Sequence, residues 1–265
     1  MARACVPLVA PANLFDLTEK VAVITGGAGD IGVVYAQALC EAGASVMVAD
    51  LDTDAAARAA ANLVEKGYSA ASTGVDVRSA DSAISMAQAA VDAFGGIDIL
   101  INNAAIMTDL PAYGLSNMPV DDWDRVMNVN LRGPLLCTQA VLPAMEQRGG
   151  GRIVNGLSAG AFMAGGIYGV SKYALHGLTY NLASELGGRN INVNAIAPGL
   201  VDSESGYVSL PKDSPFRDAL AMAIPGKTSG PPEDIVGALL LLCSRAGDWI
   251  TGQTILVDGG WIARL

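Results

Sequence analysis

Histidine is almost absent from this 265-residue chain: it has one, His176. The four cysteines, Cys5, Cys40, Cys137 and Cys243, lie far apart and form no metal-ligand spacing. No zinc or other metal centre and no disulfide framework is expected, and reduced thiols of this kind suit a cytoplasmic protein. Basic residues are scarce, 16 against 26 acidic ones, for a formal net charge of −10. That field repels nucleic acid and anionic membrane, so neither is expected as a partner. Long apolar runs are missing too. The N-terminal stretch is broken by Pro7 and Pro11, so neither a signal peptide nor a membrane span is expected there. Residues 1–16 read as a loose arm ahead of a single domain over 17–265.

What is present is small and aliphatic. Hydrophobic residues make up 51% and glycines number 31, while aromatics are only 5%. This mix suits helices packed closely on a buried parallel sheet. Apolar β-branched runs and helical patterns alternate along the chain. Strands are expected at 21–24, 45–49, 69–75, 97–101, 151–155, 191–196 and 254–257. Helices are expected after the first glycine loop as far as Ala42, then at 54–66, 80–94, 121–147, 167–186 and 233–244. Pro134 should kink the long fourth helix, and 203–224 reads as irregular or helical. The pattern predicts an α/β fold: a doubly wound, mostly parallel seven-stranded sheet with helices on both faces.

The first strand runs into Thr25-Gly-Gly-Ala-Gly-Asp-Ile-Gly32, then a helix, a second strand and Asp50. Strand, glycine loop, helix, strand and acid together form a dinucleotide-binding unit. The glycines let backbone approach a diphosphate, and the helix start offers free N–H groups. Asp50 stands where a carboxylate can take both ribose hydroxyls and would repel a 2′-phosphate. No lysine or arginine lies in the loop or just after Asp50, so NAD is expected over NADP.

Tyr168 and Lys172 are four apart, which stacks them on one helix face. A tyrosine of pKa near 10 is a poor base at neutral pH. A neighbouring ammonium favours the phenolate, and reaching about 7 takes roughly 4 kcal/mol. Lys172 together with a cationic cofactor is expected to supply it. His176, alone and without a partner, reads as packing or interface.

Nearly the whole chain resembles the short, single-domain branch of the short-chain dehydrogenase/reductase family. The matching stretches are Thr25 to Gly32, Asp76-Val77, Asn102 to Ala105, Asn128-Val-Asn130, Ser158, Tyr168 to Lys172, Pro198-Gly199 and Asp258-Gly-Gly260. The resemblance implies NAD(P)-dependent interconversion of an alcohol and a carbonyl. It makes Tyr168 the acid/base, with Lys172 lowering its pKa and holding the nicotinamide ribose. Ser158 would bind the substrate oxygen, and Asn130 would anchor a water behind Lys172. Gly26, Gly29, Asp30 and Ile31 would serve the diphosphate, Asp50 and Leu51 the adenosine ribose, and Asp76 and Val77 the adenine. Asn103 and Ala104 would line the ribose and diphosphate side. Val201 and Ser203 would hold the carboxamide beyond the Pro198-Gly199 turn.

The chain departs from the family pattern in three places. Asp30 stands where the loop usually has glycine, and its side chain is expected to turn outward. Ala105 replaces a glycine. Counting back from the tyrosine puts Asn155 at the serine position; aligning from the strand chooses Ser158 and leaves the following loop about three residues short. The strand-end loops offer Ile106, Met107, Phe162, Met163 and the stretch 207–216, mostly apolar, so a small neutral alcohol or ketone is the expected substrate. Ala174, Leu175, Leu178 and Leu182 would supply apolar surface for a homotetramer. Two alternatives stand beside this reading: an NADPH-dependent 3-ketoacyl reductase, and a dinucleotide-sensing binding protein without turnover.

Overall fold

The computed structural model describes residues 13–108, 110, 114–209, 213–226 and 229–262. They build one seven-stranded sheet, every neighbouring pair parallel, in the order β3-β2-β1-β4-β5-β6-β7. The strands are β1 (Val21–Thr25), β2 (Ser45–Asp50), β3 (Ala70–Gly74), β4 (Ile99–Asn102), β5 (Gly151–Gly156), β6 (Ile191–Pro198) and β7 (Thr254–Val257). β1 and β4 are buried along their whole length, as apolar runs covered on both faces must be. Successive residues serve opposite faces. Val23 packs with Leu100, Ile153 and Val193 on one side, while Ile24 packs with Leu39, Val46 and Leu239 on the other.

The helices between strands start and stop where local chemistry directs. α1 (Asp30–Glu41) opens directly from the glycine loop. Asp52 caps α2 (Thr53–Glu65) by accepting the Ala55 N–H at 2.9 Å. Ser79 does the same for α3 (Ala80–Phe94), which Gly95 ends in the left-handed region at φ 82°.

The expected long helix at 121–147 is interrupted. It divides into α4 (Val120–Met127), a π turn at Asn128–Arg132 and α5 (Gly133–Gln147). Pro134 does not kink a continuous helix; it sits in the first turn of α5, where a missing N–H is tolerated. It cannot offer a donor to the Asn130 carbonyl four residues back, and the Gly133 N–H reaches Asn128 instead. The wider turn presents Asn130 to the interior, fully buried.

α6 (Gly166–Leu186) carries Tyr168 and Lys172. The stretch after β6 forms α7 (Glu204–Ser209) and α8 (Pro215–Ala223). The expected helix at 233–244 begins with a 3-10 turn and becomes α9 (Val236–Cys243). Part of the expected N-terminal arm is docked: the Leu14 carbonyl accepts the Ala246 N–H just past α9. Residues 1–12, with Cys5, lie outside the described residues. Cys40, Cys137 and Cys243 are buried free thiols. Among the described residues no helix is long and apolar enough to cross a membrane.

Candidate active site

The sheet order reverses between β1 and β4, and a crevice opens at such a switch point, at the carboxyl ends of the strands. A cavity of about 560 Å³ lies there. The glycine loop, Asp50 and Leu51, Asp76 and Val77, Asn103 and Ala104, Tyr168, Lys172 and Pro198 all line it. Residues expected at the two ends of a dinucleotide thus share one wall.

The loop requires its glycines for different reasons. Gly26 has φ 61°, and a Cβ there would sit 2.8 Å from the Ala104 Cα. A Cβ at Gly32 would run into the Gly26 carbonyl. Gly29 has open space on the cavity side, its nearest neighbour being Gly26 O at 3.5 Å. The β4 end is lashed to this loop: Thr25 Oγ1 accepts the Asn103 and Ala104 N–H groups, both at 3.2 Å, and Asn103 Nδ2 donates to Gly26 O at 2.8 Å. Asp50 Oδ2 accepts the Ala28 N–H at 3.0 Å and Oδ1 the Asp52 N–H at 3.2 Å. Two backbone donors therefore fix this carboxylate on the cavity wall. Asp30 is half-buried and belongs to the same wall.

At the other end, α6 packs on β6 and the π turn. Asn130 Oδ1 accepts the Ile106 N–H at 2.7 Å, while its Nδ2 donates to Ile106 O at 3.0 Å and Ser171 Oγ at 3.1 Å. Ser171 Oγ donates to the Tyr168 carbonyl at 2.7 Å. The asparagine thereby clips the β4 loop to the turn of α6 that bears the tyrosine. Lys172 Nζ donates to the Gly156 carbonyl at 2.6 Å and lies 5.6 Å from the centre of the Tyr168 ring. Ser158 Oγ accepts the Gly160 N–H at 3.1 Å and lies near enough to the Tyr168 hydroxyl to favour its ionised form. The alternative from counting, Asn155, is fully buried and tied to Asn102 and Thr179. It cannot reach a ligand.

The phenol's acidity runs opposite to the simple expectation. Burial pushes the Tyr168 pKa up to about 12, against a smaller lowering from the Ser158 hydrogen bond. Burial also brings Lys172 down to about 8. In the cofactor-free site burial is the larger effect on the phenol, and the lysine, with its own pKa of about 8, has lost its charge by the pH at which the phenol would ionise.

Three expected cofactor residues stand off the cavity wall. Gly199 packs against Asp258, where a Cβ would sit 2.7 Å from its Cα. Val201 bridges to Gly230. Ser203 is buried, and its Oγ accepts the Gly206 N–H at 3.0 Å. Of the expected substrate residues, Ile106 and Met107 line the cavity, whereas Phe162 stacks edge-on against Tyr173 and His176. In the stretch 207–216, residues 210–212 lie outside the described residues. Leu175 and Leu182 face the core rather than the surface. Arg78, Arg125 and Val129 line the cavity without having been expected there. Val129 was flagged only by the asparagines on either side of it, and Arg78 only by lying two residues after Asp76.

The fold and site can be set beside known proteins. The family model described as enoyl-(acyl carrier protein) reductase matches residues 26–262. An uncharacterized oxidoreductase of Mycobacterium tuberculosis is 46% identical over 251 residues, covering 95% of this chain and all of that protein. Dehydrogenase/reductase SDR family member 4 of Sus scrofa is 38% identical over 253 residues, covering 94% and 89%. The structure of a gluconate 5-dehydrogenase from Burkholderia cenocepacia, in complex with NADP and tartrate, superposes with a TM-score of 0.89 at 32% identity, covering 95% and 98%. With the all-parallel sheet, the glycine loop and these relatives together, the chain belongs to the short-chain dehydrogenase/reductase family of oxidoreductases.

Proposed function

We propose that this protein is an NAD-dependent oxidoreductase that interconverts a small neutral secondary alcohol and its ketone, with Tyr168 as acid/base. One observation carries the reading: Tyr168 and Lys172 share a cavity wall with the glycine loop and Asp50. Bound NAD supplies the hydride acceptor and a positive ring charge. The chain supplies placement and a path for the proton. Ser158 orients the carbinol oxygen toward the phenol. Tyr168 takes its proton on oxidation and returns it on reduction. Lys172, held by the Gly156 carbonyl, faces the nicotinamide ribose, and Asn130 fixes the turn that aims the tyrosine. Val201 and Ser203 close the carboxamide side.

Asp50 supports NAD over NADP, since its fixed carboxylate would face a 2′-phosphate. The Burkholderia relative holds NADP, so family membership leaves the choice to such local charges. Ile106, Met107 and Leu157 on the wall favour an apolar substrate, in a cytoplasmic enzyme. A surface groove lined by Met127, Leu131, Leu135, Ala174 and Leu178 supports a homotetramer. The test is turnover of a panel of cyclic, aryl and steroid-like alcohols with NAD and with NADP, by wild type and Asp50→Asn. The reading expects NAD-linked activity and a shift toward NADP in the variant. Turnover of phosphorylated or carrier-bound acyl substrates alone would refute it.

A further inference from the structure

One carboxylate gathers three parts of the excursion between β6 and α9. Asp202 Oδ1 accepts the Tyr207 hydroxyl of α7 and Nη2 of Arg217 in α8, both at 2.8 Å. Its Oδ2 accepts the Ser229 hydroxyl at 2.8 Å. The Arg217 guanidinium also lies 4.9 Å from the centre of the Tyr207 ring. The Arg217 side chain is 9% exposed and that of Asp202 34%. An arginine so far out of water needs a counter-charge, and Asp202 supplies it. Helices as short as α7 and α8 are not stable by themselves, so what docks them decides where they lie.

The main chain around Asp202 is fixed separately. Its N–H donates to Gly230 O at 2.8 Å, and the Gly230 N–H donates to Leu200 O at 3.1 Å. Upstream, the Gly199 N–H donates to Val257 O at 2.9 Å, next to Pro198 on the cavity wall. Downstream, Ser203 opens α7: its Oγ accepts the Gly206 N–H at 3.0 Å and its carbonyl the Tyr207 N–H at 2.9 Å. The path from the wall to Asp202 therefore survives loss of the carboxylate. The turn that holds Ser203 is the turn whose Tyr207 hydroxyl is bound to Asp202, so Ser203 is oriented through that tether.

We propose that Asp202 is a positioning residue for the nicotinamide end of the site: by docking α7 and α8 through Tyr207 and Arg217, it holds Ser203 in the pose that receives the carboxamide. The inference rests on the assignment of Val201 and Ser203 to the carboxamide and deepens it. Asp202 itself touches neither cofactor nor substrate in this scheme. It acts by linking two short helices to the stretch that leaves the cavity wall at Pro198.

The test reads binding and needs no substrate. Calorimetric affinities for NADH and for ADP-ribose, which lacks the nicotinamide, are compared in wild type, D202N, R217M and D202N/R217M. NADH affinity should fall roughly tenfold in each single variant, a size usual for coupling between sites. ADP-ribose affinity should hold, which also shows that the fold survives. The double variant should lose no more than either single one, since both act through one pair. Unchanged NADH affinity in the single variants overturns the proposal, and so do equal losses for both ligands or losses that add in the double variant. Amide hydrogen exchange reports the tether by itself: Gly206 and Tyr207 in α7 and Asp218 in α8 should exchange faster together in D202N. Unchanged rates there also overturn it. A wild type that binds ADP-ribose as tightly as NADH contradicts the carboxamide assignment, while the exchange rates still decide whether Asp202 docks the two helices.

Discussion

The Lys172 ammonium lies 5.6 Å from the centre of the Tyr168 ring, yet its 2.6 Å hydrogen bond goes to the Gly156 carbonyl. The lysine is thus held at the end of β5, beside the phenol rather than on it. Tyr168 keeps its proton in the cofactor-free site, with a pKa pushed up to about 12. In the proposed mechanism, the positive ring of a bound nicotinamide cofactor would lower it for base catalysis.

Lys172 is costly to keep. Burial brings its pKa to about 8 from the ordinary 10.5. The unfolded chain therefore binds more protons between those values, and folding stability from this group rises with pH across that window. Lys172→Met removes the term. Urea unfolding at pH 7 and pH 10 should show wild type gaining on the variant by an amount on the order of 2 kcal/mol. A stability difference that stays flat with pH would mean the amine is not buried as described.

The glycine loop separates folding from binding. Gly32→Ala drives a methyl into the Gly26 carbonyl and should lower Tm by several degrees, with loss of NAD binding. Gly29→Ala meets no close neighbour, Gly26 O being 3.5 Å away, but its methyl stands at the cavity wall. It should keep the wild-type Tm and weaken NAD alone. Thermal melts and NAD titrations of the two variants check this. Equal effects on both properties in both variants would show that the loop does not face the diphosphate.

Ser158→Ala removes the hydroxyl near Tyr168 and the acceptor for the Gly160 N–H. Losing one oriented donor at a reacting oxygen typically costs roughly a hundredfold or more in kcat. Since Ser158 is not on the dinucleotide wall, NAD affinity should hold. Steady-state kinetics with a calorimetric NAD titration separate the two.

Much of this architecture was legible because strands and stops are local. Val21 to Thr25 and Ile99 to Asn102 announce themselves as apolar runs, and Gly95 ends a helix wherever it falls. The switch-point cavity followed from strand, glycine loop and acid in order. The π turn at Asn128–Arg132 was hidden, because one extra residue in a turn leaves the apolar period nearly unchanged. The direction of the Tyr168 pKa was hidden as well. Four-residue spacing reports that Lys172 is near, whereas burial and the Gly156 carbonyl come from β5, 16 residues away in sequence. Phe162 read as a pocket residue because its loop is apolar, but its ring found Tyr173 and His176 outside. Arg78 carried no signal except its distance from Asp76.

The central claim is that the Tyr168 hydroxyl moves the substrate's proton. Its most direct test is NAD-linked turnover of an accepted alcohol by wild type and Tyr168→Phe across pH 6 to 10, with NAD binding measured in parallel. The account predicts that the variant binds NAD as wild type does and loses at least about a hundredfold to ten-thousandfold in kcat. Wild-type kcat should rise with pH through a value well below the 12 of the cofactor-free site. A variant that turns over at the wild-type rate, with the same pH profile, would contradict it.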